Sequence, residues 1–567
     1  MLTNQFPGVH VLEIPSGARP IASLSTSNTA FVGVFRKGPL DDAIRITSWA
    51  DFEKIFGGLW VESDTSYAVR QYFQNGGAVA FIVRVGVARA AVAAVVADPV
   101  AIPPVVAAPA IVAIGLDRAV LIVTDNINPA DAAALPALTV TALNEGSWGN
   151  DLRIGIGLRT GADIGTTYDL VIRSYKGNQL LAQEVYQAVS ISAASPRYAD
   201  RVVNGVSTLV TVVAVDNRLP RHQTPVMGSA PARESTLQQL KDVPKTSLLA
   251  MAGGGDGILP SIANWQAPIA AAIVGSNALR TGMNALEDII PDIFNLMCLP
   301  IAAQMPVVNA TAVYEAAEAF CRDRFAFLIV DPGIGVAHTA IYASWFSQLG
   351  GAVSRTAAGY FPALRFDDPE APGTLRDIGP SGMVAGMMAR IDASRGIWKS
   401  AAGTETRFSG GEPAALLTDL EQEPLNRLGV NVIRSFPVYG NIIWGARTLA
   451  GADDLADEYK YAAVRRTALF IQQSLQRGLK WTVFEGNDET LWGQIRLNVK
   501  AFMQGLHRQG AFQGNIAADA YLVKCDSETT PQSDIDLGIV NILVAFAPLK
   551  PAEFVLLNFT QLTKLPE

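Results

Sequence analysis

The alternation of apolar and polar positions near the start of the chain predicts two strands with two helices between them. Continuous apolar runs at 29–35 and 79–85 are typical of buried strands. The segments 48–56 and 64–74 carry apolar residues at the spacing of helices. This order of elements predicts an α/β layer, in which helices pack against a sheet.

The pattern changes to short strands between 91 and 235. The strand-like runs lie at 119–124, 138–143, 152–158, 168–175, 184–191 and 207–215. Turn residues such as Gly177-Asn178 separate these runs. We therefore expect 91–235 to form a β-rich domain inserted in the chain.

Alternating helix and strand patterns return after the insertion. Strands are predicted at 294–301, 325–332 and 359–366, and helices at 311–323 and 338–349. The simplest organisation joins 23–90 and 236–380 into one α/β body, which the insertion interrupts.

The last third of the chain has the pattern of a further α/β unit. Helices are predicted at 457–477 and 488–507, and strands at 480–485, 520–526 and 538–548. A C-terminal domain is accordingly assigned to 381–547. The whole chain is thus expected to be a multidomain α/β (α+β) protein.

Both ends of the chain carry an apolar strand that prolines separate from the rest. One strand is predicted at 8–14, within an extended N-terminal arm of residues 1–22; the other is predicted at 553–562, within a C-terminal arm of residues 548–567. An isolated strand exposes its backbone groups, so we expect both arms to pair with other strands. The arm residues expected to make these contacts are Val9, Val11, Leu12, Ile14, Phe554, Val555, Leu556, Leu557 and Phe559.

Composition and charge narrow the classes of function. Of the 567 residues, 49% are hydrophobic and 17% are charged, against about 25% charged in ordinary globular chains. This composition favours large cores and a surface in contact with other protein. The formal net charge is −8, which argues against a protein that holds nucleic acid through its phosphates.

The sequence offers no pattern for a metal, a cofactor or a membrane span. The three cysteines, Cys298, Cys321 and Cys525, lack metal-ligand spacing, and their number is odd. The N-terminus lacks the pattern of a secretory signal. The apolar segment 90–116 contains four prolines, which would leave backbone groups without partners in lipid, so we interpret it as a connector.

Three motifs suggest enzyme chemistry, and each has a simpler interpretation. GGGDG at 253–257 lacks the lysine of a phosphate-binding loop and is interpreted as a flexible turn. Asp331, His338 and Ser344 lie close in sequence and suggest a catalytic triad, but the G-x-S-x-G elbow of a serine hydrolase is missing. A strand end followed by a helix cap explains Asp331 more simply. Asp367-Asp368 is interpreted as a solvated turn. The alternative left open is a hydrolase-like enzyme with a ligand site near Asp331.

The helix predicted at 488–507 carries a basic face beside its apolar one. Arg496, Lys500 and His507 fall on this face at helical spacing. Residues 457–510 hold eight basic and five acidic side chains within a chain of net charge −8. Two interpretations stay open: an ordinary solvated face, and a docking surface for an acidic protein partner.

Several long motifs in the second half resemble one known family. The segment 379–403 reads GPSGMVAGMMARIDASRGIWKSAAG, and 424–449 reads PLNRLGVNVIRSFPVYGNIIWGARTL. Shorter matches continue in order as VRRTALFIQQSL (464–475), FEGNDETLW (484–492), YLVKCD (521–526) and APLKPAEFV (547–555). PGVHVLEI near the start, NEGSWGNDLRIGI (144–156) and GGGDG fit the same pattern. Together they resemble the contractile tail sheath proteins of phage tails, R-type bacteriocins and extracellular contractile injection systems.

Two features qualify this resemblance. Ser400 stands where the family usually has proline or alanine, a change expected to have little effect. The type VI secretion branch of the family splits its sheath between two polypeptides, and a single fused chain fits that branch poorly.

The resemblance implies a structural subunit and no catalysis. Sheath subunits stack as hexameric rings around an inner tube, and their terminal arms extend the sheets of neighbouring subunits. The C-terminal domain would face the tube, with Arg496, Lys500 and His507 as candidate contacts, and the inserted domain would face outward. The implied partners are further copies of this chain, the inner tube protein, baseplate and tail-terminator proteins, and sheath paralogues. Neither nucleic acid nor direct membrane insertion is expected.

The resemblance also implies how and where the particle works. Contraction would switch the lattice between two packings and drive the tube through a target envelope. Assembly is expected in the bacterial cytoplasm, as part of a phage tail or of a released tail-like particle. A third interpretation is a membrane-anchored scaffold that uses 90–116.

Overall fold

The structure, a computed structural model, describes the greater part of the chain. The described residues are 19–88, 115–125, 135–159, 165–221, 240–333, 343–344, 346–347 and 354–554. Their strands are β1 (Thr29–Gly33), β2 (Ala43–Ile46), β3 (Ala80–Arg84), β4 (Leu116–Asp117), β5 (Val120–Thr124), β6 (Pro136–Ala142), β7 (Leu152–Leu158), β8 (Thr167–Lys176), β9 (Gln179–Ser190), β10 (Val210–Ala214), β11 (Leu249–Ala250), β12 (Gly255–Asp256), β13 (Leu296–Cys298), β14 (Phe327–Val330), β15 (Ala357–Phe361), β16 (Leu364–Asp367), β17 (Leu375–Ile378), β18 (Glu412–Pro413), β19 (Asn431–Phe436), β20 (Gly440–Trp444), β21 (Tyr521–Lys524) and β22 (Leu543–Phe546). Their α-helices are α1 (Trp49–Phe56), α2 (Asp64–Gln74), α3 (Ala199–Val203), α4 (Gln266–Val274), α5 (Val307–Asp323), α6 (Ser381–Arg395), α7 (Asp419–Arg427), α8 (Ala462–Gly478), α9 (Glu489–Arg508), α10 (Ala517–Ala520) and α11 (Gln532–Asp536).

An eight-stranded sheet forms the α/β body. Its strand order is β2-β3-β1-β13-β14-β15-β19-β20, with parallel pairing from β3 to β19 and an antiparallel strand at each edge. Strands from both sides of the insertion therefore share one sheet, since β1 pairs with β13 through Thr29 and Leu296. The continuous apolar runs are explained because parallel strands are buried on both faces.

Helices cover both faces of this sheet, and each face has its own core. Successive residues of a strand point to opposite faces, so Phe31 packs in one core and Val32 in the other. Helices α1, α2 and α6 cover the face of Phe31, and α4 and α5 cover the face of Val32. Ser48 caps α1 through its hydroxyl, which accepts from Asp51 N at 3.1 Å. The helices predicted at 48–56 and 64–74 are confirmed.

The β-rich stretch contains all six strands that the pattern predicted. Together with the short strand β11, they form one sheet of order β10-β6-β5 and one of order β11-β7-β8-β9. A common core lies between them, with residues such as Leu138, Trp148 and Ile172. Strand β11 lies beyond residue 235, yet it pairs with β7 through Leu249 and Ile154.

Two predicted strands are corrected by the structure. The run 359–366 forms β15 and β16 in different sheets, and the break falls at Pro362, which has no backbone N–H to donate to a ladder. The segment 480–485 is not a strand: Lys480–Thr482 is a 3₁₀ helix, and the side chain of Phe484 is fully exposed. The helix predicted at 338–349 lies largely outside the described residues.

The C-terminal module consists of α8, α9 and the two-stranded sheet of β21 and β22. The apolar face predicted for 488–507 is buried along α9 and joins side chains from α8, β21 and β22 in one core. Asp488 caps α9 by accepting from Leu491 N at 2.9 Å. The described chain is thus a multidomain protein of mixed helix and strand with several sheets, as predicted.

Candidate assembly site

The two-stranded sheet of the C-terminal module has one packed face and one exposed face. Val523 is buried against α9, and the neighbouring Val544 and Phe546 pack on the same core. On the other face, Leu522 and Leu543 expose about half of their side chains, at 52% and 49%. A two-stranded sheet is marginal in water, and extra strands would stabilise it.

Both edges of this sheet present backbone groups that no other described element satisfies. Ala547 N donates to Ala520 O at 2.8 Å, and hydrogen-bonded and non-hydrogen-bonded pairs alternate along an antiparallel ladder. The pairs Tyr521–Phe546 and Val523–Val544 are therefore the non-hydrogen-bonded ones. Their N–H and C=O groups point away from the partner strand, towards the two edges. The Tyr521 N–H donates to Ala517 O of α10, so the open groups are those of Val523 on one edge and of Val544 and Phe546 on the other. Such edges are templates for pairing with another strand.

By contrast, the last strand of the large sheet is covered along its outer edge. Gly403 N donates to Ile443 O at 2.8 Å, and Phe408 N donates to Asn441 O at 3.2 Å. The hydroxyl of Thr406 accepts from Ile443 N at 3.1 Å. The loop that follows α6 therefore occupies the edge of β20, whereas no described segment runs along the outer edge of β21 at Val523 or of β22.

The N-terminal segment is rooted on this same module. Arg19 N donates to Asn498 Oδ1 of α9 at 3.1 Å, and its guanidinium lies 4.8 Å from the centre of the Trp481 ring. Ile21 is buried in the C-terminal core and packs closely over Gly478. The chain before residue 19 therefore starts from a fixed point beside α9.

The C-terminal segment is rooted on the α/β body. The Glu553 carboxylate accepts two hydrogen bonds from Arg447, at 2.9 Å to Nε and 2.7 Å to a terminal nitrogen. The Arg447 side chain is fully buried, and Glu553 is 15% exposed. Neither residue stands out in the sequence as a functional one, although both lie in motifs that carry the family resemblance, WGARTL and APLKPAEFV.

The predicted arm strands themselves lie outside the described residues. This applies to 8–14 with Val9, Val11, Leu12 and Ile14, and to Val555, Leu556, Leu557 and Phe559. Phe554 is described, and its side chain is 75% exposed. Strand pairing by the arms accordingly stays a prediction.

The three candidate tube contacts on α9 differ in their surroundings. Arg496 is engaged within the module, because it pairs with Glu489 and donates to Cys525 O. The His507 ring nitrogen Nε2 lies 3.0 Å from Gly514 O. Lys500 is exposed to solvent, which makes it the candidate whose charge a partner could reach directly.

The Asp331 carboxylate is committed to a structural contact. It is fully buried and accepts from the backbone N and the hydroxyl of Ser381, at 2.7 and 2.5 Å, so it caps the start of α6. Burial raises the pKa of Asp331 to about 7. His338 lies outside the described residues. The cap explains Asp331 and gives the hydrolase alternative no support.

The prediction of a solvated turn at 367–368 holds for Asp367, which is exposed, and fails for Asp368. Asp368 is buried, accepts from the Tyr67 hydroxyl at 2.7 Å and pairs with Arg376 at 3.2 Å. Arg376 also pairs with the buried Asp64 at 2.6 Å. The pair of strands β16 and β17 is thereby tied to α2, a long-range contact that local sequence does not reveal.

The GGGDG turn is a packing element. Asp256 accepts from Ser147 N at 2.7 Å, and β12 pairs with β4. A Cβ atom at Gly254 would clash with Gly146 O, and one at Gly255 with Gly115 O. Close backbone approach therefore requires glycine here, and the turn is held in place, whereas we expected it to be flexible.

In the described part of the chain, neither a membrane-spanning helix nor a metal site is found. No helix there is long and apolar enough to span a membrane. No group of three or more His, Cys, Asp or Glu side chains is arranged there to hold a metal ion.

The family resemblance is confirmed by comparison with known proteins. Residues 455–561 match the sequence model of the phage tail sheath C-terminal domain. No match was found among curated proteins. This domain match covers the C-terminal module and reaches past Glu553.

Solved structures extend the similarity over the whole fold. The contracted sheath complex of PVC, an extracellular contractile injection system, is 20% identical with a TM-score of 0.52, over 99% of this chain and 99% of that one. The contracted helical sheath of the anti-feeding prophage is 20% identical with a TM-score of 0.51, over 98% and 99%. The sheath tail protein of Listeria innocua is 13% identical with a TM-score of 0.55, over 94% and 96%. The chain therefore has the fold of contractile sheath proteins.

Proposed function

We propose that this chain is the structural, non-enzymatic subunit of a contractile sheath, and that it polymerises by strand addition. The observation that carries the proposal is the two-stranded sheet of β21 and β22, whose two edges present the backbone groups of Val523 and Val544. Backbone hydrogen bonds to an added strand supply affinity, and pockets for alternate side chains supply register.

The number of terminal strands in each chain matches the number of open sheet edges. Each sheet has two open edges, and each chain has two apolar terminal segments, 8–14 and 553–562. If each edge accepts one arm from a different neighbour, every edge is paired and every arm is used. Such contacts join different surfaces, so they propagate into a helical filament unless they close into a ring.

The sheath fold supports the larger assembly as well. Subunits would form stacked hexameric rings around an inner tube, with the C-terminal module facing the tube and the β-rich insertion facing outward. Contraction would be a change between two packings of rigid subunits, during which the arms keep neighbouring subunits connected. Two of the similar structures are sheaths in a contracted state, which supports this mechanism.

The partners follow from the same proposal. Further copies of the chain supply the strands, and an inner tube protein occupies the centre, with Arg496, Lys500 and His507 as its candidate contacts. Baseplate and tail-terminator proteins would cap the two ends of the sheath, and sheath paralogues could share the filament. The particle would be assembled in the bacterial cytoplasm, as part of a phage tail or of a released injection particle.

A proline at an outward-facing position of β22 tests strand addition. The Val544 N–H points to the edge, so Val544→Pro removes a donor for an added strand without removing a hydrogen bond between β21 and β22. Val544→Ala is the matched control, because it removes the same packing and keeps the N–H. We expect hollow tubes in negative-stain electron microscopy for wild type and Val544→Ala, and folded monomers for Val544→Pro.

Two results would contradict the proposal. Tubes of wild-type length from Val544→Pro would exclude strand addition at this edge. Small particles from the wild-type chain at high concentration, with and without a tube protein, would contradict the sheath function itself.

A further inference from the structure

The C-terminal segment crosses from the C-terminal module to the α/β body and is fixed there at one residue. Pro548 forms a bridge with Phe512 of the module. Residues 549–554 then form one wall of a groove of about 1380 Å³, whose other walls include Trp398 and Trp444. Glu553 ends this crossing by its paired hydrogen bonds with Arg447.

Arg447 is held in place independently of Glu553. Its guanidinium also donates to Asn426 O at 2.7 Å and to Asp453 at 2.9 Å, and its backbone N donates to Asn431 Oδ1 at 2.6 Å. Arginine makes such paired contacts with carboxylates because its nitrogens form a planar fork. The α/β body therefore fixes the position of the Arg447 guanidinium, and Glu553 binds to it.

We propose that Arg447 and Glu553 form a latch that sets where the C-terminal arm leaves the subunit. The inference rests on the proposed function, because the latch has a role only if the arm reaches a neighbouring subunit. Without the latch, the arm would start at Pro548. The five residues 549–553 would then add about 17 Å of slack at about 3.3 Å per residue.

Slack of this size would disturb strand addition in two ways. A longer tether lowers the effective concentration of the arm at the neighbouring sheet. It also loosens the register, and a shift by one residue turns every side chain of a strand to the opposite face. The latch therefore makes the arm both shorter and more precisely aimed.

Loss of Glu553 should spare the folded subunit. Arg447 would keep the Asp453 carboxylate at 2.9 Å, so its buried charge would not be left without a partner. This separates the latch from a purely structural ion pair, whose loss would unfold the surrounding region.

Two matched insertions test the latch in the full chain. Four residues, Gly-Ser-Gly-Ser, are inserted either between Lys550 and Pro551, before the latch, or between Phe554 and Val555, after it. Both lengthen the C-terminal segment equally, but only the second lengthens the arm beyond Glu553. We expect the first insertion to polymerise like the wild type, and the second to need about tenfold more protein to form sedimenting tubes.

The Glu553→Gln background completes the experiment. There, the insertion before the latch should become as harmful as the one after it. Equal effects of the two insertions in the wild-type background would overturn the latch. If the wild-type chain forms no tubes, the proposed function fails instead. The contact between Arg447 and Glu553 is then tested in the monomer.

Spin labelling reads the latch in the monomer. Ala552 is exposed, and the three native cysteines are buried, so a nitroxide at Ala552→Cys would report this segment selectively. We expect slow label motion in the wild-type background and fast motion with Glu553→Gln. Glu458→Gln, the same change of charge at an exposed residue of the loop that holds Asp453, is the control and should leave the motion slow. Fast motion in the wild-type background would refute the latch.

Discussion

Arg466 of α8 and Asp392 of α6 form a buried ion pair that joins the C-terminal module to the α/β body. Their closest atoms are 2.6 Å apart, and the side chains are 4% and 2% exposed. The same guanidinium donates to Thr26 O at 3.0 Å, which ties the root of the N-terminal segment to this junction. Three separate parts of the chain therefore meet at one guanidinium.

Removing the cation of this pair should destabilise the subunit strongly. Arg466→Met leaves the buried Asp392 carboxylate without its partner, and the expected loss is about 3–5 kcal/mol in the free energy of unfolding. Urea unfolding of the monomer measures it. Arg427→Met is the control, because the Arg427–Glu423 pair is 70% and 57% exposed and should cost less than about 0.5 kcal/mol. Equal losses in the two variants would contradict the assigned role of Arg466.

The buried carboxyl of Asp331 should make stability depend on pH. Its pKa is about 7 in the folded chain, against an ordinary value of 3.8, so the folded state binds the proton more tightly than the unfolded state. The free energy of unfolding should therefore fall as the pH rises from about 4 to about 7, and this contribution should be constant at higher pH.

Asp331→Asn provides the comparison for this pH dependence. Its amide retains an acceptor for Ser381 N and does not titrate. Relative to the wild type, the variant should therefore be more stable at pH 8 than at pH 5, measured by urea unfolding. A difference between the two proteins that is the same at both pH values would show that Asp331 does not titrate in this range.

Charge reversal at Lys500 should weaken the proposed contact with the inner tube. Lys500→Glu replaces an exposed cation on α9 by an anion, so binding to an acidic tube surface should weaken and should become less sensitive to salt. Co-sedimentation with the tube protein measures it, and Lys480→Glu, outside α9, is the control. Arg496 is less suitable, because its reversal would also break the contacts with Glu489 and Cys525 O. Unchanged tube-bound extended sheaths would refute the contact.

Deletion of residues 1–15 should block polymerisation and leave a folded monomer. The deletion removes the predicted strand 8–14 but keeps the root at Arg19 and Ile21, which packs on the C-terminal core. Circular dichroism should match the wild type, while sedimentation should show only monomers. Tubes of wild-type length would contradict the role of the N-terminal arm.

The spacing of apolar residues predicted the secondary structure correctly where a single helix or strand has one clear hydrophobic period. The helix 488–507 was found as α9 with the predicted apolar face buried, because amphipathic spacing records which side of a helix meets the core. The prediction failed at 480–485, where Trp481, Val483 and Phe484 imitate an apolar strand. A short apolar run does not distinguish a strand from an exposed turn.

The sequence by itself determined the α/β and β-rich stretches, the proline-separated termini and the similarity to sheath proteins, because these depend on periodicity and on contiguous motifs. Only the tertiary structure decided that Asp368 is buried, that Asp331 caps α6, and that Glu553 reaches Arg447 across 106 positions of the chain. Such pairs are selected by distance in space, and a charged residue has the same letter whether it is solvated or enclosed. The two open edges of the C-terminal sheet likewise became visible only when the pairing of β21 with β22 placed their backbone groups.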